Sequence, residues 1–176
     1  MITRKGVALV VGAVALLVAG CSSAEVAATV DGVEIAESAV LGIRVANEGE
    51  VSVPGDQFRS DLSRLIFTQA LLVAAEADFG FTGLDTPETR EAYLASIDPR
   101  EQEFLDSIAT DTSLTDEALK VTVTQLVLMT KVREELPDDW TIWIDEAVEQ
   151  AEITVRSDIG TWFSAADGIA PPPRSP

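Results

Sequence analysis

The chain contains no histidine, a single cysteine and few basic residues, and each shortage removes a class of function. Without imidazole there is no Ser-His-Asp or Cys-His hydrolase and almost no catalytic zinc site, because those chemistries use imidazole as base or ligand. The single cysteine, Cys21, permits no internal disulfide. Twelve Lys and Arg against thirty Asp and Glu give a net charge of −18 and leave no basic footprint for nucleic-acid phosphates. A Gly-rich phosphate loop and an EF-hand are also missing, since Asp111 to Glu117 lacks the loop glycine. A Ser-Lys arrangement through Lys120 or Lys131 is formally open, but both lysines fall on a predicted solvent face.

What remains for chemistry is carboxylate. Asp138, Asp139, Asp145 and Glu146 have the residue types to hold Ca²⁺ or to act as a glycosidase pair. In a chain with thirty acids such neighbours arise by chance. Charge at a helix N-terminus and a solvated face is the simpler reading. No catalytic residue, metal site or cofactor is therefore expected, and the chain is not expected to be an enzyme.

The first segment carries an address. Arg4 and Lys5 precede fourteen uncharged residues, Val7 to Gly20. As a helix these would span about 21 Å, short of the roughly 30 Å of bilayer hydrocarbon. That is the length of a signal-peptide core. It ends in Val18-Ala19-Gly20-Cys21, which resembles the bacterial lipobox, in which the cysteine thiol receives a diacylglycerol before cleavage on its N-terminal side. Residues 1–20 are thus expected to be removed, with Cys21 lipidated and 21–26 forming a short tether. The product would be exported and lipid-anchored on the extracytoplasmic face of the membrane, since two acyl chains hold where one binds only marginally.

From residue 27 onward the pattern alternates less and coils more. Ala27 to Val30, a tight turn at Asp31-Gly32, and Val33 to Ile35 read as a strand and its return. A helix is expected from about Glu37 to Ala46, then a loop from Asn47 to Gly55. Gln57 to Phe79 follows as the central helix, with an apolar stripe wider than one face, Asp56 as N-cap and Gly80 as stop. Thr86-Pro87 and Asp98-Pro99 open two short amphipathic helices, and Thr115 opens a longer one to about Glu135. The β-branched run Val121-Thr122-Val123-Thr124 allows a strand within it, though length and caps favour helix. Pro137 ends that helix, Trp140 to Gln150 forms the last, and Glu152 to Arg156 is a second clear strand, expected to share a sheet with Ala27 to Val30. Residues 169–176, with Pro171-Pro172-Pro173, read as a mobile tail.

AATVDGVEI after an export signal, a helical middle, and ITVRSDIGTW near the end together resemble the N-terminal chaperone domain of the SurA and PrsA-like foldases. Val30, Asp31, Gly32 and Ile35 match that family's V-N-G-x-x-I element. The resemblance implies a mainly α helical bundle over residues 27–168, with a small sheet pairing the N- and C-terminal strands. It also marks a departure. Those foldases usually carry a histidine-containing parvulin domain before the last strand, whereas here only Pro137 to Ala151 intervenes. The expected function is a non-enzymatic chaperone or holdase for unfolded or exported polypeptides, without prolyl isomerase activity. A scaffold for one dedicated partner, or less readily a carboxylate-based carbohydrate-active enzyme, are the alternatives. Trp140, Trp143 and Trp162 are the candidate client-binding residues if they meet around a cleft; core packing is the other reading of them.

Overall fold

A computed structural model describes residues 25–44, 55–111 and 113–173. The expected lipobox with Cys21 and most of the expected 47–55 loop lie outside the described residues.

Two strands at the start of this region build the base of the molecule. β1 (Val26–Val30) and β2 (Val33–Ala36) pair antiparallel across Asp31-Gly32, whose φ values of 50° and 81° make the turn that a two-residue hairpin with right-handed twist requires. β3 (Ile153–Val155) adds to the other side of β1, giving the order β2-β1-β3. The central position of β1 explains why Ala27, Ala28 and Val30 are buried. Backbone and side chain of Asp31 clamp the entry of β3, with its N–H donating to Glu152 O at 2.9 Å and its Oδ1 accepting from Glu152 N at 2.8 Å.

α1 (Glu37–Leu41) is shorter than the periodicity predicts. Gly42 donates to Ser38 O and ends it, and the chain then turns so that Ile43 becomes fully buried. There Thr115 N donates to Ile43 O at 3.0 Å, and Arg44 bridges Leu114, which fixes the exit of α1 to the entrance of a distant helix.

α2 (Asp56–Phe79) is the axis. Its N-cap is Gly55 rather than Asp56, which instead places its carboxylate in the first turn, at the positive end of the dipole. At the far end the N–H groups of Gly80 and Phe81 return to Glu76 O and Ala75 O, closing the helix in a Schellman-type cap. Eight of its residues are buried, among them Leu62, Ile66 and Leu71, because sheet, helices and a hairpin cover it from several sides. α5 (Asp116–Glu135) packs along it. Val121 to Thr124 lie within α5, so burial against α2 overrides their β propensity. Arg64 bonds Thr122, and Gln125 Nε2 donates to Thr68 Oγ1 at 2.7 Å. Both contacts advance together along the two helices, so α2 and α5 run parallel.

A parallel pair needs a return path, which α3 (Pro87–Leu94) and α4 (Pro99–Ala109) provide. Thr86 Oγ1 caps α3 by accepting from Thr89 N, and Asp98 caps α4 by accepting from Arg100 N and Glu101 N. α3 ends two residues before Ser96, whose hydroxyl turns back to Tyr93 O. α6 (Trp140–Gln150) then lies against α2 and α5 and delivers the chain to β3.

The C-terminal segment departs from its sequence reading. β4 (Thr161–Ser164) and β5 (Gly168–Ala170) form a second antiparallel hairpin seated on α2, with Ile169 buried and its N–H donating to Ser63 Oγ at 3.2 Å. The expected boundary at 168/169 therefore falls inside β5, and the fold continues through Ala170. The Ser63 hydroxyl and Pro171, which has no N–H to offer, leave little of the outer edge of β5 for another strand.

Candidate functional site

The three tryptophans do not meet around a cleft. Trp143 is only 6% exposed, and its indole Nε1 donates to Asp78 Oδ2 at 2.9 Å while its ring lies 5.4 Å from that of Phe79. It joins α6 to the C-terminal end of α2, and as a core residue it offers no face to a client. Trp140, half-buried one turn earlier, carries the Arg133 guanidinium 4.5 Å from its ring centroid. Such a stack contributes about 0.5–1 kcal/mol at a partly exposed position. Trp162 stands opposite Ile169 in the C-terminal hairpin, also half-buried. Each ring thus seals a different joint, and the client-cleft expectation for the trio gives way to packing.

The acidic candidates are dispersed as well. Asp138, Asp139, Asp145 and Glu146 are all exposed, and among the described residues no three His, Cys, Asp or Glu side chains are grouped to hold a metal ion. Lys120 and Lys131 are half-exposed and pair with Glu117 at 2.9 Å and Glu134 at 3.3 Å on their own helix. The densest charge cluster is built on Arg156, which reaches Glu25 and Glu37 at 2.9 Å and Asp158 at 2.7 Å. One guanidinium thereby ties the start of β1, the start of α1 and the turn after β3. The hydrogen bond from Arg156 holds the Asp158 carboxyl below its ordinary range. The second cluster is the bidentate pair of Arg44 with Asp61, at 2.7 and 3.0 Å, which anchors the exit of α1 on α2. Both clusters use their donors internally and serve the fold.

A trough of about 330 Å³ separates the start of α2 from the C-terminal hairpin, but its polar lining is already engaged. Arg59 pairs with Asp56, and Ser63 bonds Arg59 O and Ile169 N. No convergent reactive set faces it.

The outer helical layer is thinly packed, and large apolar side chains are exposed both there and elsewhere, at Leu41, Ile142 and Phe163. α3 buries none of its residues and α4 only Leu105, yet Leu94 and Phe104 remain 39% and 51% exposed. Both helices take their substantial packing from α5. Beneath the layer, the Tyr93 hydroxyl is enclosed, with Thr130 and Glu101 close by. Burial, followed by the Glu101 charge, pushes the Tyr93 phenol above its ordinary range. Sequence reasoning identified both helices but not this exposure. The available signal was the composition of α3 and α4, in which apolar residues are too few to cover a full face and are flanked by acids.

Comparison with protein-family models, curated proteins and solved structures finds no match. Among the described residues no helix is long and apolar enough to cross a membrane.

Proposed function

We propose that this chain is an exported, lipid-anchored chaperone or holdase that binds unfolded segments of exported polypeptides and performs no chemistry on them. The observation that supports this reading is the α3–α4 layer, which is ordered by few buried contacts and presents Leu94 and Phe104 to solvent. Apolar side chains on a loosely held helical surface suit transient contact with many apolar sequences, whereas a dedicated ligand calls for a preformed cavity with converging polar groups. The SurA-like arrangement of motifs, the lipobox at Cys21 and the marked acidity agree with such a role. A chaperone that carries strong net charge keeps its complexes soluble while apolar contacts do the binding.

The direct test measures aggregation of several unrelated, chemically unfolded polypeptides with and without the full chain. Suppression across the set at near-stoichiometric ratios is expected. Saturable binding of one folded protein, with no effect on the unfolded set, would favour the dedicated-scaffold reading instead. The anchor is tested separately. Cys21→Ala should move the protein from the membrane fraction to the soluble one, and an unmodified mature N-terminus by intact mass would remove the lipid from the proposal.

A further inference from the structure

We infer that the end of the domain at which β1 begins rests on the bilayer, with the Leu41 side chain of α1 in the headgroup region and the far end of α2 directed into the medium; this rests on the reading of Cys21 as the lipidated residue. The partner surface is fixed by attachment. From Cys21 to Glu25, just before β1, the chain advances by four residues. Even fully extended these reach no more than about 14 Å. A lipid on Cys21 therefore holds Glu25 close to the membrane whatever path the tether takes.

Glu25 is itself tied to the fold. Its Oε2 accepts from Arg156 Nη1 at 2.9 Å, and its carbonyl oxygen accepts from Glu37 N at 2.8 Å, while Arg156 also reaches Glu37 and Asp158. The tether thus hands over directly to the start of α1. Leu41 follows Glu37 by one turn on the same face, about 6 Å further along the helix, and is 59% exposed. A single exposed leucine is ordinary on a protein surface. This one is held within one helical turn of the point where the chain leaves for the lipid, and the Arg156 guanidinium offsets part of the charge of the carboxylates around that point.

The opposite end has the opposite character. Arg44, just beyond α1, is paired with Asp61 early in α2, and Trp143 is bonded to Asp78 near its finish. Those two positions are about 26 Å apart along the helix. The passage from α5 to α6 at the second of them carries Glu134, Glu135, Asp138 and Asp139, all exposed. Laying that end on the bilayer would strip water from carboxylates, which is costly. A domain held at Glu25 therefore settles with Leu41 toward the lipid and these acids away from it.

The experiment uses the cysteine count. Cys21 is the sole cysteine and its thiol is consumed by the lipid, so Ser38→Cys beside Leu41 and Asp138→Cys at the far end each supply one free, exposed thiol for a polar fluorescent label. The lipidated protein carrying either label is placed in phosphatidylcholine vesicles that contain a nitroxide at headgroup level. Quenching at position 38 should exceed that at position 138 several-fold, and Leu41→Glu should lower it. Equal quenching at the two positions, or quenching at 38 unchanged by Leu41→Glu, in protein whose intact mass shows the lipid would overturn the inference alone. An unmodified mature N-terminus would overturn the anchor and the inference with it.

Discussion

α2 and α4 both begin with an acidic residue at or beside the cap, both carry amphipathic sequence and both are helical to their ends, yet one buries eight residues and the other one. The difference lies in what covers them. α2 is touched by the sheet, α5, α6 and the C-terminal hairpin, and α4 only by α5 to any extent. Caps thus set where α4 begins, while its packing on α5 stabilises it and the extent of tertiary burial decides which helix is structural and which remains largely surface.

The comparison is broken most severely at the seat of the hairpin on α2. A Cβ on Gly160 would lie 2.0 Å from the Ala170 carbonyl oxygen, and its φ of 151° already disfavours a side chain. Gly160→Ala is expected to cost more than about 4 kcal/mol in chemical denaturation, and a near-wild-type midpoint would show that the hairpin is dispensable to α2. Trp143→Ala, at the other end of the same helix, should cost about 3–5 kcal/mol and leave Asp78 without the indole donor. A stable but inactive variant would return Trp143 to the client site.

On the α4 side the expected effects on stability are small. Phe104→Ser changes a side chain that is 51% exposed, and the melting midpoint should move by less than the equivalent of about 0.5 kcal/mol while client binding weakens. Loss of stability comparable to Trp143→Ala would mean that Phe104 is anchored. The finest distinction is pH. The Glu101 N–H, then the Arg100 N–H, hold the Asp98 carboxyl below its ordinary value. A depressed folded-state pKa contributes stability that is complete above the unfolded value of about 3.9 and is lost as pH falls through the folded one. α4 should therefore fray at its N-terminus in acid, whereas α2, which starts at Gly55, has no side-chain cap to lose. Amide shifts of Arg100 and Glu101 between pH 5 and 2.5 check this, with Asp98→Asn expected to remove the acid dependence.

Much of the scaffold was legible locally. Asp31-Gly32, Thr86-Pro87, Asp98-Pro99, Thr115 and Gly80 each announce their turn or cap by chemistry that acts within four residues, and each does so in the structure. The features that were not legible depend on distant partners. β4 and β5 are four and three residues long, and they are held as strands by their mutual pairing, by β3 and by the Ser63 hydroxyl and surface of α2. α1 stops early because Ile43 is drawn to Thr115. Trp143 belongs to the core because Asp78, at the end of another helix, accepts its N–H. The candidate site follows the same rule, because α3 and α4 could be read as helices while their lack of cover could not.

The central place of β1 in its sheet has a kinetic consequence. One neighbour, β2, is available as soon as the hairpin forms, but the other lies so far along the chain that the Glu152 bond to Asp31 spans 121 residues and the Arg156 bond to Glu25 spans 131. Closing loops of that size slows folding, and contacts of this separation are made late. A chain interrupted before β3 is left with a bare edge on β1 and with α2 uncovered where the C-terminal hairpin should lie. Until β3 arrives, the sheet therefore keeps an unpaired row of N–H and C=O groups on β1, the kind of edge that recruits strands from other chains.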